Sequence, residues 1–321
     1  MPKSGVGSLY QEDSAVIQQF DSLMQMMEVF NDEQTCIDHL RAVRWKSGAY
    51  CPHCGGTTIY HFSDQRTHKC GDCRQRFSIK VGTIFEDTKL PLRKWFMAIW
   101  MVTSHTKGIA STQLAKDLMI TQKSAWFVLH RLRHAAKTKS FNRPLSGTVE
   151  ADETYMGGKE KNKHANKKTP GSQGGANKIA VMGIMERDGE LRAKVVPNTT
   201  AKVLHTELTA NVKPGSNVMT DEHRGYTGIG EKFTHQTVNH SIGEYVRDKL
   251  IHTNGMENAW SLFKRKIYGI HRWVSGEHLD RYLAEFTFRH NRRTMGEGAR
   301  VNALLGQVEG RITYKALIDH G

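Results

Sequence analysis

The chain has 321 residues, of which 38% are hydrophobic and 24% are charged, with 29 glycines and 7 prolines. This composition excludes collagen, low-complexity disorder and a pure coiled coil, and the length predicts a globular protein of two or three domains. Lysine and arginine number 46 against 32 acidic residues, so the formal net charge is +14, which favours nucleic acid as the partner over acidic membranes or acidic proteins.

The most apolar run of the sequence covers residues 96–102. It is far shorter than the roughly 20 apolar residues that a transmembrane helix needs. The first residues lead into acidic and polar positions without the apolar stretch of a secretory signal. We therefore expect no membrane span, no membrane partner and a cytoplasmic location.

Apolar positions at helical spacing predict an N-terminal helical arm over residues 1–45, with one helix from Asp13 to Phe30 and a second through Cys36, Leu40 and Val43. Five cysteines occur in the chain. Cys36 lies on the apolar face of the second helix, which is typical of a small buried core residue. It is not expected to bind metal.

The other four cysteines form two CxxC pairs separated by fifteen residues, and they predict a zinc ribbon over residues 46–85. The four are Cys51, Cys54, Cys70 and Cys73. Four thiolates complete a tetrahedral zinc site and leave no position for water, so the zinc is predicted to be structural. The histidines nearby are then expected to face the surface or a phosphate: His53, His61 and His68.

Residues 86–142 are predicted to form a helical DNA-binding region of the helix-turn-helix type. The first helix has an apolar face that includes Trp95, Phe96 and Ile99. Two further helices are predicted at 111–118 and 123–133, with Thr121 as the N-cap of the second. Four polar side chains are expected to face outward toward DNA: Gln122, Lys123, Arg131 and Arg133. A plain helical hairpin is the alternative.

From residue 143 to 295 the sequence predicts an α/β domain with a ribonuclease-H-like order of elements, so the whole chain is a multidomain α+β protein. Strands are predicted at 148–153, 179–185, 191–196, 217–220 and 233–238. A helix capped by Thr199 follows the third strand, a short helical turn covers 224–226, and the last helix starts near Asn254. Residues 296–321 are expected to be a C-terminal tail.

Three acids fall at places where this fold could build a two-metal site. Asp152 is predicted at the end of the first strand, Asp221 at the end of the fourth, and Glu257 in the first turn of the last helix. Two magnesium or manganese ions need carboxylates that separate elements hold rigidly. Asp152 is preferred as the first acid, although strand alternation turns Glu150 to the same face. Glu153 and Glu222 are further neighbouring acids.

Basic and amide side chains near these acids could contact phosphate. Lys264 lies two helical turns after Glu257, where its ammonium group could bind a phosphate, and Arg265 is adjacent, although both could belong to a solvated basic face. Asn254 and Asn258 flank Glu257, and N-cap duty is the structural alternative for Asn254. The segment 157–178 is glycine-rich and lysine-rich, and Lys167 and Lys168 are predicted DNA contacts. A solubilising loop without a DNA role is the alternative.

Five segments resemble the bacterial ISXO-like insertion-sequence transposases over about residues 30–295. They are 44–52 (RWKSGAYCP), 149–158 (VEADETYMGG), 220–221 (TD), 252–258 (HTNGMEN) and 288–292 (FRHNR). In that family a zinc ribbon and DNA-binding helices precede a DDE-type transposase core. The resemblance implies that Asp152, Asp221, Glu257 and Lys264 take the family's catalytic roles. The third family position is Glu or Asn, so Asn254 and Asn258 remain alternative third ligands.

The resemblance also implies a function and its partners. A transposase of this family binds double-stranded DNA at terminal inverted repeats, hydrolyses phosphodiesters and joins the freed ends to target DNA. It would use structural Zn²⁺ and two Mg²⁺ or Mn²⁺ ions, act as a homo-oligomer in a synaptic complex, and lie near the nucleoid. Two alternatives remain, namely a catalytically inert DNA-binding regulator derived from such an element and a structure-specific nuclease of the same fold.

Overall fold

A computed structural model describes residues 17–137, 143–158, 164, 178–239, 246–247 and 250–318. The chain divides into two compact units. The first unit comprises residues 1–136 together with 294–321, and the second comprises residues 137–293. In the described part of the chain, no helix has the length and apolar character that spanning a membrane requires.

Two helices with side-chain caps open the first unit, α1 (Leu23–Val29) and α2 (Glu33–Arg44). The Ser22 hydroxyl accepts a hydrogen bond from the Gln25 N–H group, and the Asp32 carboxylate accepts one from the Thr35 N–H group. Such caps satisfy N–H groups that have no partner inside the helix. The cap at Ser22 starts α1 later than the sequence predicted. Cys36 in α2 is fully buried, as predicted.

The zinc-ribbon region forms a small antiparallel sheet in the order β1-β2-β3. Its strands are β1 (Ile59–His61), β2 (Thr67–Cys70) and β3 (Arg76–Ser78). Because β2 ends at Cys70, the second CxxC pair begins where the sheet turns.

Three helices follow, α3 (Leu92–Ser104), α4 (Ser111–Asp117) and α5 (Gln122–Ala135). The predicted order of helix, turn and helix is confirmed. The Thr121 hydroxyl caps α5 by accepting a hydrogen bond from the Ser124 N–H group at 3.2 Å. The turn contains Met119, which has a positive φ of 49° and is 87% exposed.

The second unit contains a five-stranded sheet in the order β6-β5-β4-β7-β8. The strands are β4 (Thr148–Met156), β5 (Ile179–Glu186), β6 (Leu191–Val195), β7 (Asn217–Thr220) and β8 (Thr234–Thr237). The β4, β5 and β6 strands pair antiparallel, whereas β7 pairs parallel with both β4 and β8. Glu150 pairs with Met219 in this register. The same offset brings Asp152 level with Asp221, which is the first residue after β7.

Helices cover both faces of this sheet. They are α6 (Ala201–Asn211), α7 (Asn254–Lys266) and α8 (Gly276–Asn291), with short helical turns at Arg224–Tyr226 and Ile229–Glu231 and a π-helical turn at Ile267–His271. One core joins Ala151 of β4 to Leu204 of α6. A second core joins Val181 of β5 to Met256 and Trp260 of α7. Alternate residues of the strands therefore face opposite helical layers.

Residues after 296, which the sequence predicted only as a tail, form α9 (Glu297–Leu305) and α10 (Tyr314–Ile318) in the first unit. Val301, Leu304 and Leu305 of α9 are fully buried. The Asn302 side chain also hydrogen-bonds the His39 ring across 2.8 Å. The helical spacing of these apolar residues is the reason that the segment packs into a core.

Two predicted boundaries in the second unit were wrong. The β4 strand continues to Met156, which pairs with Ile179, so Asp152 lies inside the strand and not at its end. The α6 helix is capped at Thr200 and not at Thr199. The side-chain Oδ1 atom of Asn198 accepts hydrogen bonds from both the N–H and the hydroxyl group of Thr200, which orients the backbone just before the helix.

A close approach of α7 to β5 depends on Gly183, which pairs with Asp152. A β-carbon at Gly183 would lie 2.5 Å from Cζ2 of Trp260 and would also overlap Cε of Met256. Since aromatic and strand atoms in a packed core relax only partly, any larger residue here would push α7 away from the sheet.

We expect Gly183→Ala to destabilise the second unit by about 1–3 kcal/mol, the usual cost of overpacking a core. The measurement is hydrogen exchange of the β4 and β5 amides in the full chain. Gly230→Ala is the matched control, because a β-carbon at Gly230 would meet nothing within 4 Å. Equal exchange in the two variants would contradict the packing argument.

Candidate functional site

The four CxxC cysteines come together as a compact sulphur cluster in the first unit. All four sulphurs lie within 4.8 Å of one another. The Sγ atoms of Cys51 and Cys73 are 3.7 Å apart, and those of Cys54 and Cys70 are 3.6 Å apart. A tetrahedral zinc with bonds of about 2.3 Å separates its sulphurs by about 3.8 Å. The four residues therefore fit the structural Zn²⁺ that the sequence predicted.

Backbone groups support the same cluster. The His53 N–H group points to Sγ of Cys51, and the Gly56 N–H group points to Sγ of Cys54, each at 3.4 Å. Such contacts stabilise negative charge on thiolate ligands. The sulphur separations are also far longer than the roughly 2.05 Å of a disulfide.

The prediction that the neighbouring histidines face the surface was wrong for His68. This residue is 0% exposed, whereas His53 is exposed, as predicted, and His61 is half-buried. The His68 ring packs 4.9 Å from the Trp45 ring and 5.5 Å from the Phe77 ring, measured between centroids. His68 lies within β2, and its side chain points into the core of the zinc ribbon.

Two of the four predicted DNA contacts on α5 are also wrong, because Arg131 and Arg133 are only 5% and 1% exposed. The Arg131 guanidinium donates to the Ile84 and Glu86 carbonyl oxygens and stacks 4.3 Å from the Phe127 ring. Both arginines lie in the second half of α5, where every residue from 128 to 133 is buried. Their role is internal packing.

The other two predicted contacts, Gln122 and Lys123, are exposed at the start of α5. The Gln122 amide donates to the Ser111 hydroxyl of α4 at 2.9 Å. The Lys123 ammonium lies 5.1 Å from the Tyr314 ring centroid. The N-terminal end of α5 is therefore accessible to solvent, in contrast to its second half.

In the second unit, the three predicted acids come from three elements. Asp152 lies in β4, Asp221 directly follows β7, and Glu257 is in the first turn of α7. Each of the three is half-buried. The Asp221 carboxylate accepts a hydrogen bond from the His223 N–H group at 3.0 Å, and the Thr253 hydroxyl donates to Glu257 at 3.4 Å. Local hydrogen bonds thus orient two of the acids.

Negative charge is concentrated around Asp152. Burial raises the pKa of its carboxyl group to about 7, and three neighbouring carboxylates add to the increase. Those carboxylates belong to Glu153, Asp221 and Glu257. Like charges disfavour ionisation, whereas a bound cation favours it. The donor set is therefore suited to a hard divalent cation, which prefers carboxylate oxygens.

The carboxylate oxygens of the three acids do not form a cluster as compact as that of the four sulphur atoms. Among the residues that the structure describes, the cysteine cluster is the one set of three or more potential ligands within 4.8 Å of one another. The assignment of Asp152, Asp221 and Glu257 as metal ligands remains a prediction.

Glu150, the alternative first acid, lies on the same face of β4 as Asp152 but is fully engaged inside the protein. Its side chain is 1% exposed. The Oε1 atom accepts from the Arg187 guanidinium at 3.1 Å, and the Oε2 atom accepts from the Met256 N–H group at 3.0 Å. Both oxygens have protein donors, so Asp152 is the better candidate ligand.

Two other acids near Asp152 differ from it in position. Glu153 points to the opposite face of β4, where its Oε1 atom lies 4.0 Å from Nδ1 of His223. Burial raises the pKa of Glu153 to about 7. Glu222 is exposed.

The predicted phosphate contacts near α7 differ in exposure. Lys264 is half-buried, and Arg265 is exposed with a guanidinium that donates to the Ser261 hydroxyl at 2.8 Å. Asn254 and Asn258 are both exposed. Thr253, and not Asn254, stands at the N-cap position of α7. Lys167 and Lys168 lie outside the described residues.

Sequence reasoning missed two residues around the acids, Tyr226 and Arg187. Tyr226 is buried beside the acids, and burial together with the charges of Glu153, Asp152 and Asp221 raises its pKa. Nothing in its sequence context distinguishes it from a core tyrosine. Arg187 falls in the predicted hairpin turn, where an arginine normally faces solvent, so its partner Glu150 had no local signal.

Two family models match this chain. Residues 144–291 match the ISXO2-like transposase domain, and residues 31–76 match the transposase zinc-ribbon domain. The chain is also 28% identical over 281 residues to a protein of Halobacterium salinarum described as an uncharacterized protein in transposable element ISH50. That alignment covers 83% of this chain and 93% of the relative.

Two solved structures of Mos1 are distantly similar. The strand transfer complex is 14% identical with a TM-score of 0.27, and the alignment covers 68% of this chain and 77% of that one. The paired-end complex with the left transposon end has the same identity and TM-score, with 70% and 82% covered.

The two domain matches define the class of the protein as an insertion-sequence transposase with a zinc ribbon. Within that class, the chain belongs to the ISXO2-like transposase family. The resemblance noted in the sequence is confirmed.

We expect Cys51→Ser or Cys70→Ser to release the zinc, because a structural zinc contributes on the order of 10 kcal/mol to its small domain. Elemental analysis of the purified full chain measures the metal, and we expect one zinc per wild-type chain. Cys36→Ser is the matched control, since Cys36 is equally buried but lies outside the sulphur cluster. Zinc retained by Cys51→Ser would contradict the ligand assignment.

Proposed function

We propose that this chain is an active DDE-type DNA transposase that cuts the ends of its own element and joins them to target DNA. The observation that carries the proposal is the convergence of Asp152, Asp221 and Glu257 within the region that matches the transposase domain. The order of the sheet, with three antiparallel strands followed by two parallel ones, supports a ribonuclease-H-like core.

The chemistry consists of two transfers at phosphorus. In the first, water attacks the phosphorus at the element end, the bond to the 3′ oxygen breaks, and a free 3′-hydroxyl forms. In the second, that hydroxyl attacks a target phosphodiester and the target's 3′ oxygen leaves. Neither step needs a covalent bond to the protein. Mg²⁺ or Mn²⁺ would activate the attacking oxygen and stabilise charge on the leaving oxygen.

The side chains of the site then have distinct roles. Asp152, Asp221 and Glu257 supply carboxylate oxygens that hold two ions, with Asn254 and Asn258 as alternatives for the third ligand. Lys264 neutralises a phosphate oxygen and so positions the reacting phosphorus. The protein thereby provides rigid positioning and charge, which are the main catalytic contributions in phosphoryl transfer.

The contacts with DNA are proposed to come from other parts of the chain. Gln122 and Lys123 on the open end of α5 contact the element ends, while Arg265, Lys167 and Lys168 contact phosphates. The net charge of +14 supports a polyanionic partner. Because cutting and joining two ends together needs two active sites, we also propose a homo-oligomer in the synaptic complex.

We expect Asp152→Asn and Asp221→Asn to abolish cleavage and joining in magnesium or manganese, because each removes a metal-binding charge with little change of shape. Glu257→Gln should behave in the same way, and Lys264→Ala should slow the reaction. The measurement is cleavage and strand transfer with labelled element ends, with binding to the same ends recorded in parallel. End binding should persist.

Asp188→Asn is the matched control for these substitutions. Asp188 is exposed in the β5–β6 turn of the same unit, so its variant should react normally. If Asp152→Asn and Asp221→Asn both cleave like the wild type, the chain is better explained as an inert DNA-binding regulator. If Glu257→Gln is active while Asn254→Ala or Asn258→Ala is dead, the third ligand is an asparagine. Cleavage without joining in the wild type would favour a nuclease.

The two ends of α5 should differ in their effect on DNA binding. If Lys123 contacts a phosphate, Lys123→Ala should lower the slope of log K against log salt by about 0.9. Arg131→Met should leave that slope unchanged and lower thermal stability, because its guanidinium bonds to buried carbonyl oxygens. Titrations of labelled element ends over a range of salt concentrations measure both slopes. Equal changes in the two variants would contradict the proposed surface.

A further inference from the structure

We propose that Glu150 is a positioning residue of the metal site, because it ties the first turn of α7, and with it Glu257, to the strand that carries Asp152. This inference rests on the proposed function, since it concerns the same carboxylates. Glu150 does not contact the reacting atoms. Its role is to fix the separation between two ligands that belong to different elements.

The first argument is the cap that Glu150 provides. The side chain of Thr253, at the N-cap of α7, does not cap a backbone N–H group of the helix and instead donates to the Glu257 carboxylate at 3.4 Å. The N–H groups of a first helical turn need partners from outside the helix. One of them, the Met256 N–H group, is 3.0 Å from Oε2 of Glu150. A strand of the sheet thus caps α7 one residue before Glu257.

The charge of this cap is also favourable. A carboxylate near a helix N-terminus interacts with the partial positive charge of the helix dipole. The Arg187 guanidinium provides a full positive charge, at 3.1 Å from Oε1 of Glu150. The contact with Arg187 is therefore a charge-assisted hydrogen bond, which is stronger than a neutral one.

Arg187 extends the contact to the segment that enters α7. Its guanidinium donates to the Leu250 carbonyl oxygen at 2.9 Å and to the His252 carbonyl oxygen at 3.2 Å. The backbone before the helix and the first turn of the helix are therefore held by one pair of side chains. Together they fix both the position and the direction of α7 at its start.

Close approach is possible because Gly255 faces Glu150. A β-carbon at Gly255 would lie 2.7 Å from Oε2 of Glu150 and would overlap Cε of Met185. Gly255 stands two residues before Glu257, and Glu150 stands two residues before Asp152 on the same face of β4. The contact between α7 and β4 therefore lies directly beside the proposed ligands.

The test is Mn²⁺ binding to the zinc-loaded full chain without DNA, measured from the electron paramagnetic resonance signal of free Mn²⁺. Glu150→Gln keeps the size of the side chain but loses the charge and places an amide donor among existing donors. We expect the half-saturating Mn²⁺ concentration to rise about 10- to 100-fold, the usual effect of removing a residue that supports a metal ligand. An unchanged value would overturn the proposal.

Glu285→Gln is the matched control. Glu285 is a buried acid in the same unit, bonded to Lys266 at the far end of α7 and to Arg289. A loss of stability alone should affect both variants, whereas only Glu150→Gln should weaken Mn²⁺ binding. A similar rise in both variants would reduce Glu150 to a general structural role and overturn the proposal.

A second variant keeps the test decisive if Glu150→Gln does not fold. Gly255→Ala displaces the contact without removing a charge, and Gly269→Ala is its control because a β-carbon there meets nothing within 4 Å. We expect weaker Mn²⁺ binding and faster hydrogen exchange at Met256 in Gly255→Ala alone. Normal Mn²⁺ binding by Gly255→Ala would overturn the proposal.

The wild type and Asp152→Asn separate this inference from the proposed function. If Asp152→Asn binds Mn²⁺ as the wild type does, the proposed metal site itself is wrong. If Asp152→Asn loses Mn²⁺ while Glu150→Gln and Gly255→Ala keep it, the metal site stands and only the positioning role of Glu150 fails.

Discussion

The second unit depends on how closely α7 packs against its sheet. Two glycines, Gly183 in β5 and Gly255 in α7, stand where a β-carbon would overlap atoms of the opposite element. Because packed cores transmit small displacements, a single methyl group at either position would move the helix as a body. The start of α7 carries Glu257, so the packing that forms the apolar core also determines where a candidate ligand lies. The packing of α7 against the sheet therefore affects both the stability of the second unit and the geometry of the candidate site.

Two acids on one face of β4 illustrate how environment distinguishes a structural carboxylate from a candidate metal ligand. Glu150 is buried, and its two oxygens accept hydrogen bonds from an arginine and from a helix N–H group of the protein. Asp152, two residues later, is surrounded by other carboxylates, and burial raises its pKa. Neighbouring carboxylates disfavour its charged form, and a bound cation would favour it. Under the proposed function, Asp152 would be the acid that binds a metal ion, and Glu150 would be the acid that holds α7 beside it.

Much of this architecture was readable from the sequence because the signals are local. The CxxC spacing predicted the sulphur cluster, the Thr121 cap predicted the start of α5, and the order of strands and helices in the second unit agreed with the prediction. The burial of charged residues could not be predicted from the sequence. Arg131 looked like a surface residue, yet its partners are carbonyl oxygens about 45 residues away in the chain. The Arg187 partner in β4 is similarly remote in sequence, and periodicity carries no information about such pairs.

The first unit is assembled from both ends of the chain, with residues 137–293 inserted between its parts. During synthesis the ribosome releases α3 long before α9, although buried residues of both helices belong to the same unit. Domains usually fold as they emerge, and this unit cannot finish folding until α9 has been made. An incomplete polypeptide would therefore carry the zinc ribbon and α5 without their C-terminal support. Completion of the first unit is in this way coupled to synthesis of the second unit, which lies between its two parts in the chain.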